Sequence, residues 1–149
     1  MKRFLAVATA TLAVLGTASS AAALGVGVGY RLPTGDLGDA YDGGFGANAV
    51  FEYPVAPLVS AYGDLGYTTF AGEGSRDDID VWSFNAGAKV NVLTLLQVGA
   101  EVGYFTEVDE FAISPYVGQG LGPLQLSARY KLTGEAHWLD LRASVSVPF

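Results

Sequence analysis

Residues 139–149 form the most regular pattern in the chain, a strict alternation of apolar and polar side chains. The apolar positions are Leu139, Leu141, Ala143, Val145, Val147 and Phe149, and the other face holds Asp140, Arg142, Ser144, Ser146 and Pro148. A period of two indicates a β-strand, because successive side chains of a strand point to opposite faces. A tilted strand of about ten residues can cross a bilayer. The segment is therefore predicted to span a membrane, and the plainer alternative is a terminal strand of a soluble sheet.

Seven earlier segments alternate in the same way and are separated by turn signals. With the last segment, the predicted strands are 24–32, 45–53, 58–70, 81–92, 95–105, 111–119, 124–132 and 139–149. Long connections at 33–44, 71–80, 106–110 and 133–138 alternate with tight turns near 54–57, 93–94 and 120–123. Eight strands connected in this way predict an antiparallel up-and-down barrel. Pro115 lacks the N–H that a sheet ladder needs, so we expect the sixth strand to be bulged or locally unpaired there.

Charge placement indicates which face of each strand points into the barrel. The polar faces carry five basic and four acidic residues, the apolar faces carry none, and the connections carry eleven acids and only Arg76. A soluble carrier barrel turns its apolar faces inward and its polar faces to water. Sparse, nearly balanced charges suit an enclosed lumen, where buried charges must be paired. The predicted lumen network comprises Arg31, Asn48, Glu52, Asp64, Lys89, Glu101, Arg129, Lys131, Asp140 and Arg142.

An eight-stranded barrel is narrow enough for side chains to fill its interior. We therefore expect a hydrogen-bonded plug of side chains, and the alternative is a narrow water path along the inward glycines. In the last hairpin, Arg129 or Lys131 is expected to pair with Asp140. Lys89 and Glu101 are expected on neighbouring strands.

Aromatic residues gather at two levels of the predicted strands. One level holds Tyr30, Phe45, Tyr67, Trp82, Phe84, Tyr104, Phe111 and Tyr130, and the other holds Phe51, Tyr53 and Phe149. Two aromatic girdles around an apolar band are typical of a barrel surface that faces lipid.

The first residues have the features of a secretory signal peptide. Met1-Lys2-Arg3 is basic, residues 4–15 are apolar apart from Thr9 and Thr11, and Ala21-Ala22-Ala23 offers a cleavage site of the A-x-A type. We expect a signal peptide over 1–23 and a barrel domain over 24–149; a cut after Ser20 is the alternative. The chain has no cysteine, which excludes a disulfide-stapled scaffold.

Together, the eight alternating strands and the final Phe149 resemble the small eight-stranded outer-membrane β-barrels of bacteria, of the opacity-protein and outer-membrane-protein-X type. The resemblance implies an all-β transmembrane barrel in the outer membrane, monomeric, with a structural or surface-interaction role. It also implies that the last strand is read by the barrel-assembly machinery, through Leu141, Ala143, Val145, Val147 and Phe149. A narrow passive pore, a lipid-modifying rim enzyme and a soluble lipocalin-like carrier are the alternatives.

Catalysis would need a serine or aspartate beside a histidine base. His137, the only histidine, is expected to be a rim residue beside an interfacial Trp138. Ser75, Asp77 and Asp78 lie in the second long connection and could in principle approach it, but no G-x-S-x-G motif is present. We therefore expect no enzyme and no cofactor. The acidic loops could hold divalent cations or bridge to lipopolysaccharide, but no loop has the spacing of an EF-hand. Such loops also disfavour nucleic acid as a partner.

Overall fold

The computed structural model describes residues 21–149 except 108 and 135, and nearly all of them lie in strands. The elements in chain order are β1 (Ala23–Thr34), a short 3-10 helix (Gly35–Leu37), β2 (Tyr41–Ala56), β3 (Val59–Gly72), β4 (Ile79–Asn91), β5 (Leu96–Phe105), β6 (Glu110–Leu121), β7 (Leu124–Leu132) and β8 (His137–Pro148). The predicted signal peptide lies outside the described residues except for its last three, and β1 begins at Ala23.

The eight strands form one closed barrel in which every neighbouring pair is antiparallel. Closure is made by β1 and β8, whose paired positions run from Ala23 opposite Pro148 to Thr34 opposite His137. The predicted all-β, eight-stranded up-and-down fold is therefore confirmed. A closed sheet leaves no edge, so every backbone group along the strands can find a partner within the wall.

Two ends of the barrel differ in their connections. The loop end carries the connections 35–40, 73–78, 106–109 and 133–136, and the turn end carries 57–58, 92–95 and 122–123. The loops are shorter than predicted, since β1, β2, β3, β4 and β8 all extend beyond the expected strands toward the loop end. The pair between Pro33 and Trp138 belongs to this extension.

Irregular positions in the wall are few. Pro115 keeps a continuous register with β5, where it pairs with Ala100. On the β7 side, the ladder passes from Ile113 directly to Tyr116, so the predicted local unpairing is confirmed without a bulge. The register shifts of the described wall instead lie in β2, near its two ends. Gly122, in the tight turn between β6 and β7, has a φ of 67°, a backbone conformation that favours glycine.

The two surfaces of the wall have opposite chemistry. Outward positions are large and apolar, and Val26, Phe45 and Phe111 expose 67%, 73% and 77% of their surface. Inward positions are mostly polar or small, and Lys131 and Asp140 are fully buried. A water-soluble protein has the reverse distribution, with apolar side chains inside. No helix in the described part of the chain is long and apolar enough to cross a membrane.

Candidate functional site

The ten polar residues predicted for the lumen all occupy inward positions. Nine of them are buried, and the side chain of Glu52 keeps 20% of its surface exposed near the turn end. Their common direction follows from the period of two along each strand. They form three groups of charges, described in turn below.

The first group joins β1, β3 and β8. Arg142 donates from Nη1 to Asp64 Oδ2 at 2.7 Å, and its Nη2 lies 2.6 Å from Asp140 Oδ2. Arg31 Nε lies 3.3 Å from Asp140 Oδ1. The amide nitrogen of Asn48 donates to Asp64 Oδ2 at 2.7 Å. Two guanidinium groups and two carboxylates thus neutralise one another inside the barrel.

Asn85 adds a further donor to this first group, and Gly46 makes space for the Arg31 side chain. Asn85 Nδ2 donates to Asp64 Oδ1 at 3.0 Å. A Cβ at Gly46 would collide with Arg31 Nη1 and would lie 2.7 Å from Thr68 Oγ1. The bare backbone at this position therefore lets the Arg31 side chain lie against β2.

The second group centres on Glu101 of β5. Tyr62 donates its hydroxyl to Glu101 Oε2 at 2.7 Å, Lys131 Nζ donates to Oε1, and Arg129 Nε lies 3.4 Å from Oε2. The Arg129 guanidinium also lies over two aromatic rings, 5.8 Å from the centroid of Tyr62 and 5.0 Å from that of Tyr116. Cation–π contacts of this kind add stability in a dry site.

The third group lies nearer the turn end. Lys89 Nζ lies 2.7 Å from Glu52 Oε2. Gln97 accepts hydrogen bonds from the hydroxyl of Tyr116 at 3.1 Å and from the amide of Gln125 at 3.0 Å. A chain of polar contacts therefore continues toward this end of the lumen.

The predicted pairing of Arg129 or Lys131 with Asp140 is wrong. Arg129 and Asp140 do face each other in the register of β7 and β8. Both cations nevertheless turn to Glu101, and Asp140 is taken by Arg31 and Arg142. Long side chains that point into a narrow bore can reach past the neighbouring strand, so adjacency in the sheet does not fix the partner.

An apolar layer closes the lumen at the loop end. It consists of Phe70, Val81, Phe105, Ala112, Ala136 and Trp138, with Leu37, Tyr41 and Ile79 packed against it. The ring of Trp138 lies edge-on to Phe105, with centroids 4.9 Å apart. We call these six buried residues the apolar cap.

Sequence reasoning missed the apolar cap and placed Trp138 at an interfacial rim. Trp138 is instead 97% buried inside the barrel, and this is a correction. The alternation along the strands could have revealed these inward positions. Trp138 lies two residues before Asp140, and Phe70 lies two residues after Thr68, so both share the inward face of their strands.

His137 lies at the rim, where its ring stacks on Tyr130 with centroids 6.4 Å apart. Tyr130 in turn contacts Thr34, with 3.2 Å between the two hydroxyl oxygens. No hydrogen bond within the described residues joins His137 to Ser75, Asp77 or Asp78, and Asp78 accepts from the backbone of Gly72 instead. The described acidic residues of the loops form no group of three that could hold a metal ion.

The outer surface carries paired aromatic side chains near each end. Toward the loop end, Tyr30 packs against Phe45, Tyr67 against Trp82, and Tyr104 against Phe111, in tilted pairs with centroid distances of 4.8, 5.1 and 5.3 Å. Near the turn end, Phe51 and Phe149 lie 6.1 Å apart. All of these rings lie on the outer face, where interfacial aromatic girdles are found in membrane barrels.

Solved structures share this architecture. A structure from the de novo design of transmembrane β-barrels superposes with a TM-score of 0.55 at 15% identity, over 86% of this chain and 96% of the design. The Yersinia pestis outer membrane protein Ail, in a phospholipid bilayer nanodisc, gives 0.56 at 14% identity, over 84% and 99%. The crystal structure of Ail, the attachment invasion locus protein of Yersinia pestis, gives 0.53 at 14% identity, over 86% and 99%.

The fold is that of a transmembrane β-barrel. At such low sequence identity, the structural similarity shows the architecture alone. No protein-family model and no curated protein sequence matches the chain.

Proposed function

We propose that this chain is an integral β-barrel of the bacterial outer membrane with a structural or surface-interaction role. One observation carries the proposal: the wall is apolar outside and charged inside. Lipid solvates the first surface without cost, and the second is hidden from it. A soluble carrier barrel would need the opposite arrangement, with an apolar cavity for its ligand.

The comparisons support the outer membrane as the location. Ail is an outer membrane protein by name, and its structure was determined in a phospholipid bilayer nanodisc. The aromatic pairs near both ends of this barrel fit the two interfaces of such a bilayer. We therefore place the loop end outside the cell and the turn end in the periplasm, as short periplasmic turns require.

The loop end supplies the interaction surface in this proposal. Among the described residues, this end carries the acids Asp36, Asp39, Asp42, Glu73, Asp77, Asp78, Asp80, Glu107, Asp109 and Glu110, against Arg76 as the one basic residue of its loops. An excess of one sign attracts partners of the other sign and raises their local concentration. Cationic partners suit this end, as do divalent cations that bridge carboxylates to lipopolysaccharide phosphates.

The outward face of β8 is proposed as the assembly signal. Leu141, Val145 and Val147 expose 41%, 48% and 64% of their surface to the outside of the barrel, and Phe149 exposes 75%. Ala143 shares this face. Removal of the Phe149 ring, as Phe149→Ala, should slow assembly in cells while leaving refolding in detergent unchanged, whereas a purely structural role would impair both.

Cell fractionation followed by gel electrophoresis tests the location. We expect the protein with outer membranes, and we expect its band to shift between unheated and boiled samples, because a closed barrel resists detergent until it is heated. Recovery in the soluble periplasm would overturn the proposal. Conductance across planar bilayers tests the passive pore. The apolar cap and the charge groups cross the bore, so no unitary conductance is expected.

A further inference from the structure

The charges inside the barrel do not balance in every group. Arg31 and Arg142 neutralise Asp64 and Asp140, and Lys89 neutralises Glu52. In the remaining group, however, two cations meet a single carboxylate: Lys131 and Arg129 both lie against Glu101. Within the described residues, this group is where the lumen carries its excess positive charge.

Unsatisfied hydrogen-bond donors lie in the same group. Nε and Nη1 of Arg129 are buried and have no hydrogen-bond partner among the described residues, and the same holds for the hydroxyl of Ser114. Arg129 is 6% exposed and Ser114 is 0% exposed. Ser114 lies opposite Glu101 in the register of β5 and β6, and Tyr116, two residues further, lies opposite Arg129. The excess charge and the free donors thus lie side by side.

Two adjacent aromatic rings, those of Tyr62 and Tyr116, lie against the Arg129 guanidinium, with ring centroids 6.1 Å apart. Its Cζ lies over both Tyr62 and Tyr116, and a ring covering a guanidinium leaves the N–H groups, which project in the guanidinium plane, without an acceptor. An uncompensated charge in such a dry place is costly unless a counter-charge neutralises it. The counter-charge needed here is a single negative charge that accepts hydrogen bonds and is small enough for an interior filled by side chains.

We propose that this group binds one small monovalent anion of the halide class inside the lumen. Arg129 donates to the anion from Nη1, Ser114 donates its hydroxyl, and Lys131, bound to Oε1 of Glu101, adds positive charge. The anion brings the group to neutrality and serves as a structural ligand of the barrel. A ligand that binds only the folded state raises stability in proportion to the logarithm of its concentration once the site saturates.

The test measures the midpoint temperature at which the gel band of the purified, folded barrel shifts to the position of the boiled, unfolded protein. The protein is held at constant ionic strength in chloride, in bromide or in methanesulfonate, an anion larger than either halide. We expect the midpoint to be higher in chloride and bromide than in methanesulfonate. An equal midpoint in all three salts overturns the proposal.

Charge variants of the same group should change the halide preference of the midpoint in opposite directions. Arg129→Met and Lys131→Met each leave the group neutral, so the preference for halide should disappear. Glu101→Gln leaves two uncompensated cations, so the preference should grow. Lys89→Met alters a balanced pair elsewhere in the lumen and should keep the preference of the parent protein. A preference that survives in both methionine variants contradicts the site.

Crystals grown in bromide locate the ion without any variant. Anomalous scattering should show one bromide inside the lumen, within hydrogen-bond distance of Arg129 and Ser114. Bromide peaks on the outer surface and none in the lumen would show adventitious ions only. This measurement uses the parent protein, so it decides the proposal even where a charge variant fails to fold.

Discussion

Arg142 on β8 and Asp64 on β3 form an ion pair within the bore, with Nη1 and Oδ2 2.7 Å apart, although 78 residues separate them in the chain. Two further strands lie between β8 and β3 in the barrel. The contact therefore fixes the cross-section of the barrel, which pairing between adjacent strands alone does not do.

Removal of this guanidinium should be strongly destabilising. Arg142→Met leaves two buried carboxylates without their shared cation, and breaking a buried pair on one side costs about 3–5 kcal/mol. Denaturant unfolding in detergent micelles measures the loss. Arg76→Met, in an exposed loop, is the matched control and should leave the free energy of unfolding unchanged. If both variants unfold at the same denaturant concentration, the ion pair has no structural role.

The Tyr62 hydroxyl should contribute measurably through its hydrogen bond to Glu101. A hydrogen bond to a charged group is worth about 1.5–3 kcal/mol, so Tyr62→Phe should lower the free energy of unfolding by that amount. Tyr53→Phe removes a hydroxyl from the outer face and serves as the control, with no loss expected. Equal effects of the two changes would contradict an inward hydroxyl at Tyr62.

The two tryptophans should report opposite surroundings. Trp82 points outward and is 47% exposed, whereas Trp138 is 3% exposed within the apolar cap. In vesicles with brominated acyl chains, Trp138→Phe leaves Trp82 as the emitter, and its fluorescence should be strongly quenched. Trp82→Phe leaves Trp138, which should be largely protected. The reverse result would mean that the barrel is inside out.

A charge placed on the outer face of the wall should destabilise the barrel in a bilayer, whereas a charge placed in a loop, which faces water, should not. Val28 is 65% exposed and lies near the middle of β1. Val28→Arg should lower stability in a bilayer by about 2–4 kcal/mol, as found for arginine at the midplane of membrane barrels. Glu107→Arg, in a loop, should have little effect. Unfolding from lipid vesicles measures both, and an unaffected Val28→Arg would argue against a lipid-facing wall.

The strands and their faces could be predicted from the sequence because alternation is a local property. The predicted bounds of the seventh strand, 124–132, coincide with those of β7. Lys89 and Asp140 could be assigned to the lumen because they share parity with small and polar neighbours along their strands. No information about distant residues is needed for either inference.

The partners of the buried charges could not be predicted in this way. Parity says that Arg129 and Lys131 point inward, but the length of their side chains and the free space left by glycines decide which carboxylate they reach. The apolar cap was hidden for a different reason. Phe70 and Trp138 have the inward parity of their strands, yet an apolar residue in a membrane barrel is first expected to face lipid.

We expect assembly of the wall to be concerted. Glu101 of β5 is neutralised from β7, Asp64 of β3 from β8, and Asp140 of β8 in part from β1. None of these pairs joins two strands of one hairpin. The pair between Arg31 and Asp140 forms only when β1 and β8 close the barrel. A half-formed sheet entering hydrocarbon would carry naked carboxylates, so insertion before closure is disfavoured. The interior charges thus favour a route that curls the sheet shut as it enters the bilayer.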